Sequence, residues 1–251
     1  MSAVDRPAAG PGTPTGHATG LPRNTRPSDA IPSSSSAQNA ATETSSHGAV
    51  TWLHLSDLHF RAEQSWERDV VLEALLRDVV RNLEAEQLTP DFVFVTGDIA
   101  HSGKADEYVR ARVFLQEVAR ASGCPLERWF IVPGNHDVDR SRIPPTAAHV
   151  NLSTATSVNS LLENPEMLEM MFTVRQQAFF DFTRDLLGAG RAWSAGTPWK
   201  VERRNIRGLE VALIGLNTAW TCGQDGEQAR LVMGEYQVRQ ALKEAEGADF
   251  T

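Results

Sequence analysis

Three apolar runs in this chain each end in a turn that carries potential metal-binding side chains, and each is separated from the next by a helix-sized segment. VTWLHLSDLH closes on Asp57 and His59, DFVFVTGD on Gly97 and Asp98, and WFIVPGNHD on Pro133, Gly134, Asn135, His136 and Asp137. A Gly-Asp after one strand is ordinarily just a turn. Three such endings in order constrain more, because consecutive parallel strands joined by helices deliver their C-terminal loops to one edge of a sheet, where open α/β folds place their ligands. The expectation is an α/β fold in which the carboxylates, imidazoles and amide of these loops meet.

Between and around these runs the periodicity is readable. Val50, Trp52 and His54 on one side and Leu53 and Leu55 on the other fill both faces of the first strand, as a central parallel strand requires, so His54 reads as a core histidine. Trp66, Val70, Leu75, Leu76, Val79, Val80 and Leu83 recur at helical spacing and predict an amphipathic helix of about six turns, with Pro90 ending the connection. Phe92 to Thr96 is the second strand. A helix follows from near Lys104 to Ala121 on the stripe Tyr108, Ala111, Leu115, Val118 and Ala119, stopped by Gly123. Trp129 to Val132 is the third strand.

Beyond it, residues 143–160 read as a polar loop. Asn164 and Pro165 open a helix carrying Met167, Met170, Met171, Phe172, Val174, Phe179, Phe180 and Phe182, a stripe of core or lid character. Trp199–Ile206 and Leu209–Leu216 form a hairpin around Arg207 and Gly208. Glu235 to Ala245 is the last helix, capped by Gly247.

Composition sets the outer bounds. With 251 residues and 41% apolar content the chain can build a sizeable core. Residues 1–48 are rich in Pro, Gly, Ala, Ser and Thr, with no apolar periodicity, and are expected to be a disordered tail before a domain at 49–251. The tail balances Asp5, Asp29 and Glu43 against Arg6, Arg23 and Arg26, so the net charge of -8 resides in the domain. An acidic domain argues against a nucleic-acid partner, whose backbone calls for a basic field, while an anionic substrate stays compatible if bound cations supply charge locally. Cys124 and Cys222 have no CxxC spacing and read as thiols of a reducing compartment. No run approaches the ~18 apolar residues of a membrane span, and no signal-peptide core is present, which makes the cytoplasm the expected location.

Asp57 and His59 lie two apart, so in an extended segment both would point to one face and hold one cation. A carboxylate with an imidazole suits Mn, Fe, Zn or Ni better than Ca. Asp98, placed after Gly97 where the backbone can turn sharply, could bridge two metals roughly 3.5 to 4 Å apart. Asn135 offers an amide oxygen to the second metal. His136 is then free to act on a substrate, with Asp137 as a partner fixing its tautomer.

SDLH, GD and GNHD in this order resemble the first three blocks of the calcineurin-like metallophosphoesterase superfamily, from about Val50 to Asp137, with a fainter likeness through IGLNTAW. The SDLHF and VTGDIAHSGKADEY contexts are most similar to its cyclic-nucleotide phosphodiesterase-like branch. The resemblance implies a four-layer α-β-β-α sandwich with mixed sheets, a dinuclear centre of two divalent metal ions, and hydrolysis of a small phosphodiester or phosphomonoester. By position, Asp57 and His59 would bind the first metal, Asp98 would bridge, Asn135 would bind the second, and His136 would assist the leaving oxygen. The family draws further ligands from a later lone His and a GHxH, whereas His149 is the sole histidine after His136 here, and the chain ends at GADFT where another strand is due. A domain incomplete at its C-terminus, with a weakly held second metal and little activity alone, is therefore expected. The competing classes are a non-catalytic interaction module of the same fold and a nuclease of the same superfamily. Five intact motif positions favour the enzyme, and the acidic balance leans against the nuclease.

Overall fold

Three short parallel strands, β1 (Trp52–Leu55), β2 (Phe92–Thr96) and β3 (Trp129–Val132), make the first sheet in the order β1-β2-β3. The computed structural model describes residues 49–63, 66–142, 152, 154–171, 173–223 and 231–251. The expected tail at 1–48, part of the expected polar loop including His149, and Phe172 lie outside the described residues. Register sets Leu53, Val93 and Trp129 in one row and Leu55, Val95 and Ile131 in another. Side chains alternate along a strand, so both rows face the same side. There they join the main core with residues of α1 (Trp66–Ala85) and α2 (Ala105–Ser122).

The stripe on α1 differs from the expected one. Leu72 and Val79 are buried and Leu75 and Leu76 pack partly against the core, while Trp66 is 79% and Val70 41% exposed. At ~100° per residue, positions 66 and 70 fall opposite 72, 75, 76 and 79, and the second set is the continuous face. The α2 stripe holds as expected, with Gly123 in the left-handed region (φ 66°) at its end.

The second sheet is the antiparallel hairpin β4 (Trp199–Ile206) and β5 (Leu209–Leu216). Its two-residue turn places Arg207 (φ 52°) and Gly208 (φ 89°) both at positive φ, the hand that matches strand twist. One hairpin face packs on the first sheet, Ile206 and Val211 against Phe92 with Phe94 and Leu213 alongside. The other meets α6 (Glu235–Ala245): Trp199 Nε1 donates to Glu244 Oε1 at 2.9 Å, and Arg203 donates to the carbonyls of Glu244 and Glu246 at 3.0 and 2.6 Å. Helices, parallel sheet, hairpin and helix thus stack in the α-β-β-α order.

Coverage of the first sheet is uneven, which corrects the reading of β1. The hairpin lies over the β2 and β3 side, with Gly215 close to Phe130 and Val132. Among the described residues β1 is an edge strand, Trp52 is 60% exposed, and His54 is exposed with its Nε2 2.6 Å from Thr96 Oγ1. His54 is a surface residue, not a core histidine.

Two further corrections concern residues 154–187. A short helix, α3 (Ala155–Leu162), takes up the last part of the expected polar loop and runs two residues past it, capped by Thr154 Oγ1, which accepts the Ser157 N–H at 3.2 Å. Val158, Leu161 and Leu162 give it an apolar face against Trp220. The helix expected to run on from Pro165 is instead two, α4 (Pro165–Met171) and α5 (Gln177–Leu187), with a 3-10 turn at Thr173–Gln176. The break serves two packing targets: Leu168 and Met171 join the α3 cluster, whereas Phe179, Phe180 and Phe182 enter the main core. At the break Arg175 is buried and donates to the carbonyls of Cys222 and Trp220 at 2.7 and 2.6 Å. Met167 and Met170 face solvent. Among the described residues no helix is long and apolar enough to cross a membrane.

Candidate metal centre

The exits of β1 and β2 stay zipped together beyond the sheet. The Asp57 N–H donates to Gly97 O at 3.2 Å, His59 N–H to Asp98 O at 2.8 Å and Phe60 N–H to Ile99 O at 2.7 Å. Along this seam Asp57 (φ 58°), His59 (φ 46°) and Asp98 (φ 54°) all sit in the left-handed region. Holding non-glycine residues there costs on the order of 1–3 kcal/mol each, and such strain concentrates at functional sites. It also corrects the reason Asp57 and His59 converge. They are not in an extended segment sharing a face; a positive-φ turn brings His59 Nε2 within 3.9 Å of Asp57 Oδ1.

One ligand atom each from Asp57, His59 and Asp98 lies within 4.8 Å of the others. Asp57 is exposed and the other two are half-buried. Burial, then the neighbouring His136, lowers the His59 pKa against the opposing pull of Asp98 and Asp57, which favours the neutral imidazole that binds metals. His59 Nδ1 is buried with no hydrogen-bond partner, an orphaned polar atom inside the group. Two carboxylates and a neutral imidazole at this spacing fit a divalent cation of the Mn, Fe, Zn or Ni type.

The β3 loop completes the edge. After Gly134 the chain makes a 3-10 turn, Asn135–Asp137. The His136 N–H donates to Asp98 Oδ1 at 2.9 Å, so this loop is tied directly to the β2 carboxylate. The approach requires glycine: a Cβ on Gly134 would lie 2.2 Å from Asp98 Oδ1. Asn135 stands half-buried at the first position of the turn, beside His136.

His136 Nδ1 is 2.7 Å from the backbone oxygen of His101. A carbonyl only accepts, so Nδ1 carries the proton and Nε2 is left for other work. The His136 ring is edge-on to His59 at 4.5 Å and stacked on His101 at 5.5 Å, and one nitrogen from each of the three lies within 4.8 Å of the others. Burial, followed by the Arg61 charge, lowers the pKa of His101. His101 was missed in the sequence. Its signal was a histidine three residues after the Gly97-Asp98 pair, inside a loop that reads simply as a turn.

Asp137 requires a correction. It is fully buried, and its carboxylate accepts the N–H of Ile99 (3.3 Å), Ala100 (2.9 Å) and Gly134 (2.9 Å) and the hydroxyl of Tyr108 (2.8 Å). Burial pushes its pKa up to about 6 despite those donors. The partner that orients His136 is the His101 carbonyl, while Asp137 points beneath the turn and rivets its own loop, the loop after β2 and helix α2 together.

These features define a class: a layered α/β protein equipped to hold divalent cations at the C-terminal edge of a parallel sheet. Residues 50–201 match the calcineurin-like phosphoesterase family, and the chain belongs to it. The family's chemistry is metal-dependent hydrolysis of phosphate esters, with divalent metal ions as cofactors. Among its relatives is the uncharacterized metallophosphoesterase-like protein YydB of Bacillus subtilis (strain 168), 26% identical over 209 residues, a match covering 77% of this chain and 38% of that protein. Another is the glycerophosphodiester phosphodiesterase GpdQ of Enterobacter lignolyticus (strain SCF1), 38% identical over 85 residues, 34% of this chain and 28% of the relative. The chain thus spans well under half the length of either.

Proposed function

We propose that residues 49–251, behind a tail at 1–48, form a phosphoesterase domain acting on a small phosphodiester or phosphomonoester, with Asp57, His59, Asp98 and Asn135 as holders of two divalent cations. The observation that carries this reading is the convergence of Asp57, His59 and Asp98 beside an imidazole whose proton position is set by a backbone carbonyl. When bound, the cations supply charge to the phosphoryl oxygens and Lewis acidity toward water. The chain's residues do the rest. His136 keeps Nδ1–H on the His101 carbonyl and, in its doubly protonated form, presents Nε2–H to protonate the departing alkoxide. Asp98 accepts the His136 N–H through Oδ1, which keeps acid and metal site in register. Asp137 acts as a positioning residue below the turn.

The test is Mn-dependent hydrolysis of bis(4-nitrophenyl) phosphate, with bound Mn counted in the same samples. Turnover, expected to be low because the second cation has only Asp98 and Asn135 among the proposed holders, should require Mn and fall at least about a hundredfold in His136→Ala, in line with loss of general acid catalysis. Asp98→Asn is expected to lose bound Mn as well as rate. A chain that binds no Mn, or turnover indifferent to both substitutions, overturns the reading.

A further inference from the structure

An open cavity of about 450 Å³ lies directly beside His136. Its walls are two loops, one carrying His101, Ser102 and Lys104 and the other Asp139, Arg140 and Ser141. The loops meet backbone to backbone at Gly103 (φ 70°), where a Cβ would stand 2.5 Å from the Val138 carbonyl carbon and 2.6 Å from Asp139 N. The walls are therefore set by the same loops that position the histidines. The volume falls in the ~300–1,000 Å³ range of small-molecule sites.

The lining holds an exposed cation. The Lys104 ammonium is exposed and has no carboxylate partner among the described residues. Arg140 is also in the lining, with its guanidinium turned to Cys222 Sγ at 3.7 Å. The one carboxylate of the lining, Asp139, is engaged through Oδ1 by the N–H and hydroxyl of Ser141 at 3.0 and 2.6 Å.

We propose that this cavity takes the departing alcohol of the substrate and selects alcohols bearing an anionic group, a phosphate or a carboxylate. The assignment rests on the role given above to His136. In that reaction His136 starts with both ring nitrogens protonated: a water oxygen bonds to phosphorus, the phosphorus–alkoxide bond breaks, the alkoxide takes the Nε2 proton and leaves the Nδ1–H imidazole, and the proton released by water returns to Nε2 or solvent. The atoms beyond the departing oxygen then lie next to His136, in the cavity that Lys104 lines. A second anion there gains charge-assisted contacts that a neutral alcohol does not.

The test uses three probes that cannot be hydrolysed, titrated calorimetrically into the Mn-loaded chain: butylphosphonate, 4-phosphonobutyrate and butane-1,4-diphosphonate. The two with a second anion are expected to bind about tenfold tighter than butylphosphonate at low salt, and the larger gain identifies carboxylate or phosphate as the preferred group. In Lys104→Met the ratio is expected to fall to about twofold, and added salt is expected to shrink it in the wild type. Because the readout is a ratio within each protein, a general loss of folded material does not move it. Equal binding of all three probes overturns the proposal. So does a preference that survives Lys104→Met, which would place the second anion away from Lys104. A preference that depends on Lys104 in a chain unable to hydrolyse diesters would remove the catalytic reading and leave the anion pocket standing.

Discussion

Asp98 Oδ1 accepts the backbone N–H of His136 at 2.9 Å, joining the carboxylate after β2 to the backbone of the turn after β3 across 38 residues of sequence. The contact exists only because Gly134 has no side chain, since a Cβ there would sit 2.2 Å from the same oxygen. Gly134→Ala must push the two loops apart. The expected cost is about 1–3 kcal/mol, the usual range for overpacking a tight site, together with a weakened response to Mn. Urea unfolding with and without Mn checks both.

Mn added to the metal-stripped chain is expected to raise its melting temperature, because a ligand bound only by the folded state stabilises it by about 2.7 kcal/mol at a hundred times its dissociation constant. Asp98→Asn should abolish most of that rise while leaving the apo melting temperature close to wild type. Scanning fluorimetry across a Mn titration reads the difference. An unchanged Mn response would remove Asp98 from the centre.

The Asp137 carboxylate takes four donors in a fully buried position. Asparagine turns one acceptor oxygen into an N–H₂ that faces those donors. Asp137→Asn is expected to cost about 3 kcal/mol, since buried donors lose their acceptor, and Tyr108→Phe only about 1 kcal/mol. Denaturant midpoints of the two variants give the ranking. Equal losses would show that the rivet is not centred on Asp137.

Asp91 supplies a pH dependence. Burial raises its pKa, but the Thr51 N–H at 2.8 Å, the Arg207 guanidinium and the Thr51 hydroxyl outweigh burial and leave it below the ordinary carboxylate value of 3.8. A carboxylate more acidic when folded than when unfolded adds stability above its unfolded pKa, and that stability is lost as pH falls through the folded value. Wild type should exceed Asp91→Asn by about 2 kcal/mol at pH 7, the scale of a lost charged hydrogen bond, with the gap closing below about pH 4. Unfolding curves from pH 3 to 7 test this.

Much of the fold was legible along the chain. The bounds of β2, β3, both hairpin strands and α6 could be read because period, turn residues and caps act over a few neighbouring residues. The three motif endings were legible for the same reason, and the parallel order of their strands brings them to one edge. Asn135 and His136 duly fall on one short turn beside Asp98. The α1 face, the surface position of His54 and the split between α4 and α5 were not, because each depends on which partner covers which side. Local periodicity cannot say that a two-stranded hairpin leaves β1 bare, or that two clusters compete for one Met- and Phe-rich stretch.

By itself the sequence determined the donor types at this edge: carboxylate, imidazole and amide after successive strands, set by local turn chemistry. Only the tertiary structure decided how they are held. The positive φ of Asp57, His59 and Asp98, the His101 carbonyl on His136 Nδ1 and the four donors on Asp137 arise where loops far apart in sequence are pressed together. Such contacts leave no periodic trace, because hydrogen bonding and close approach depend on distance in space and not on separation along the chain.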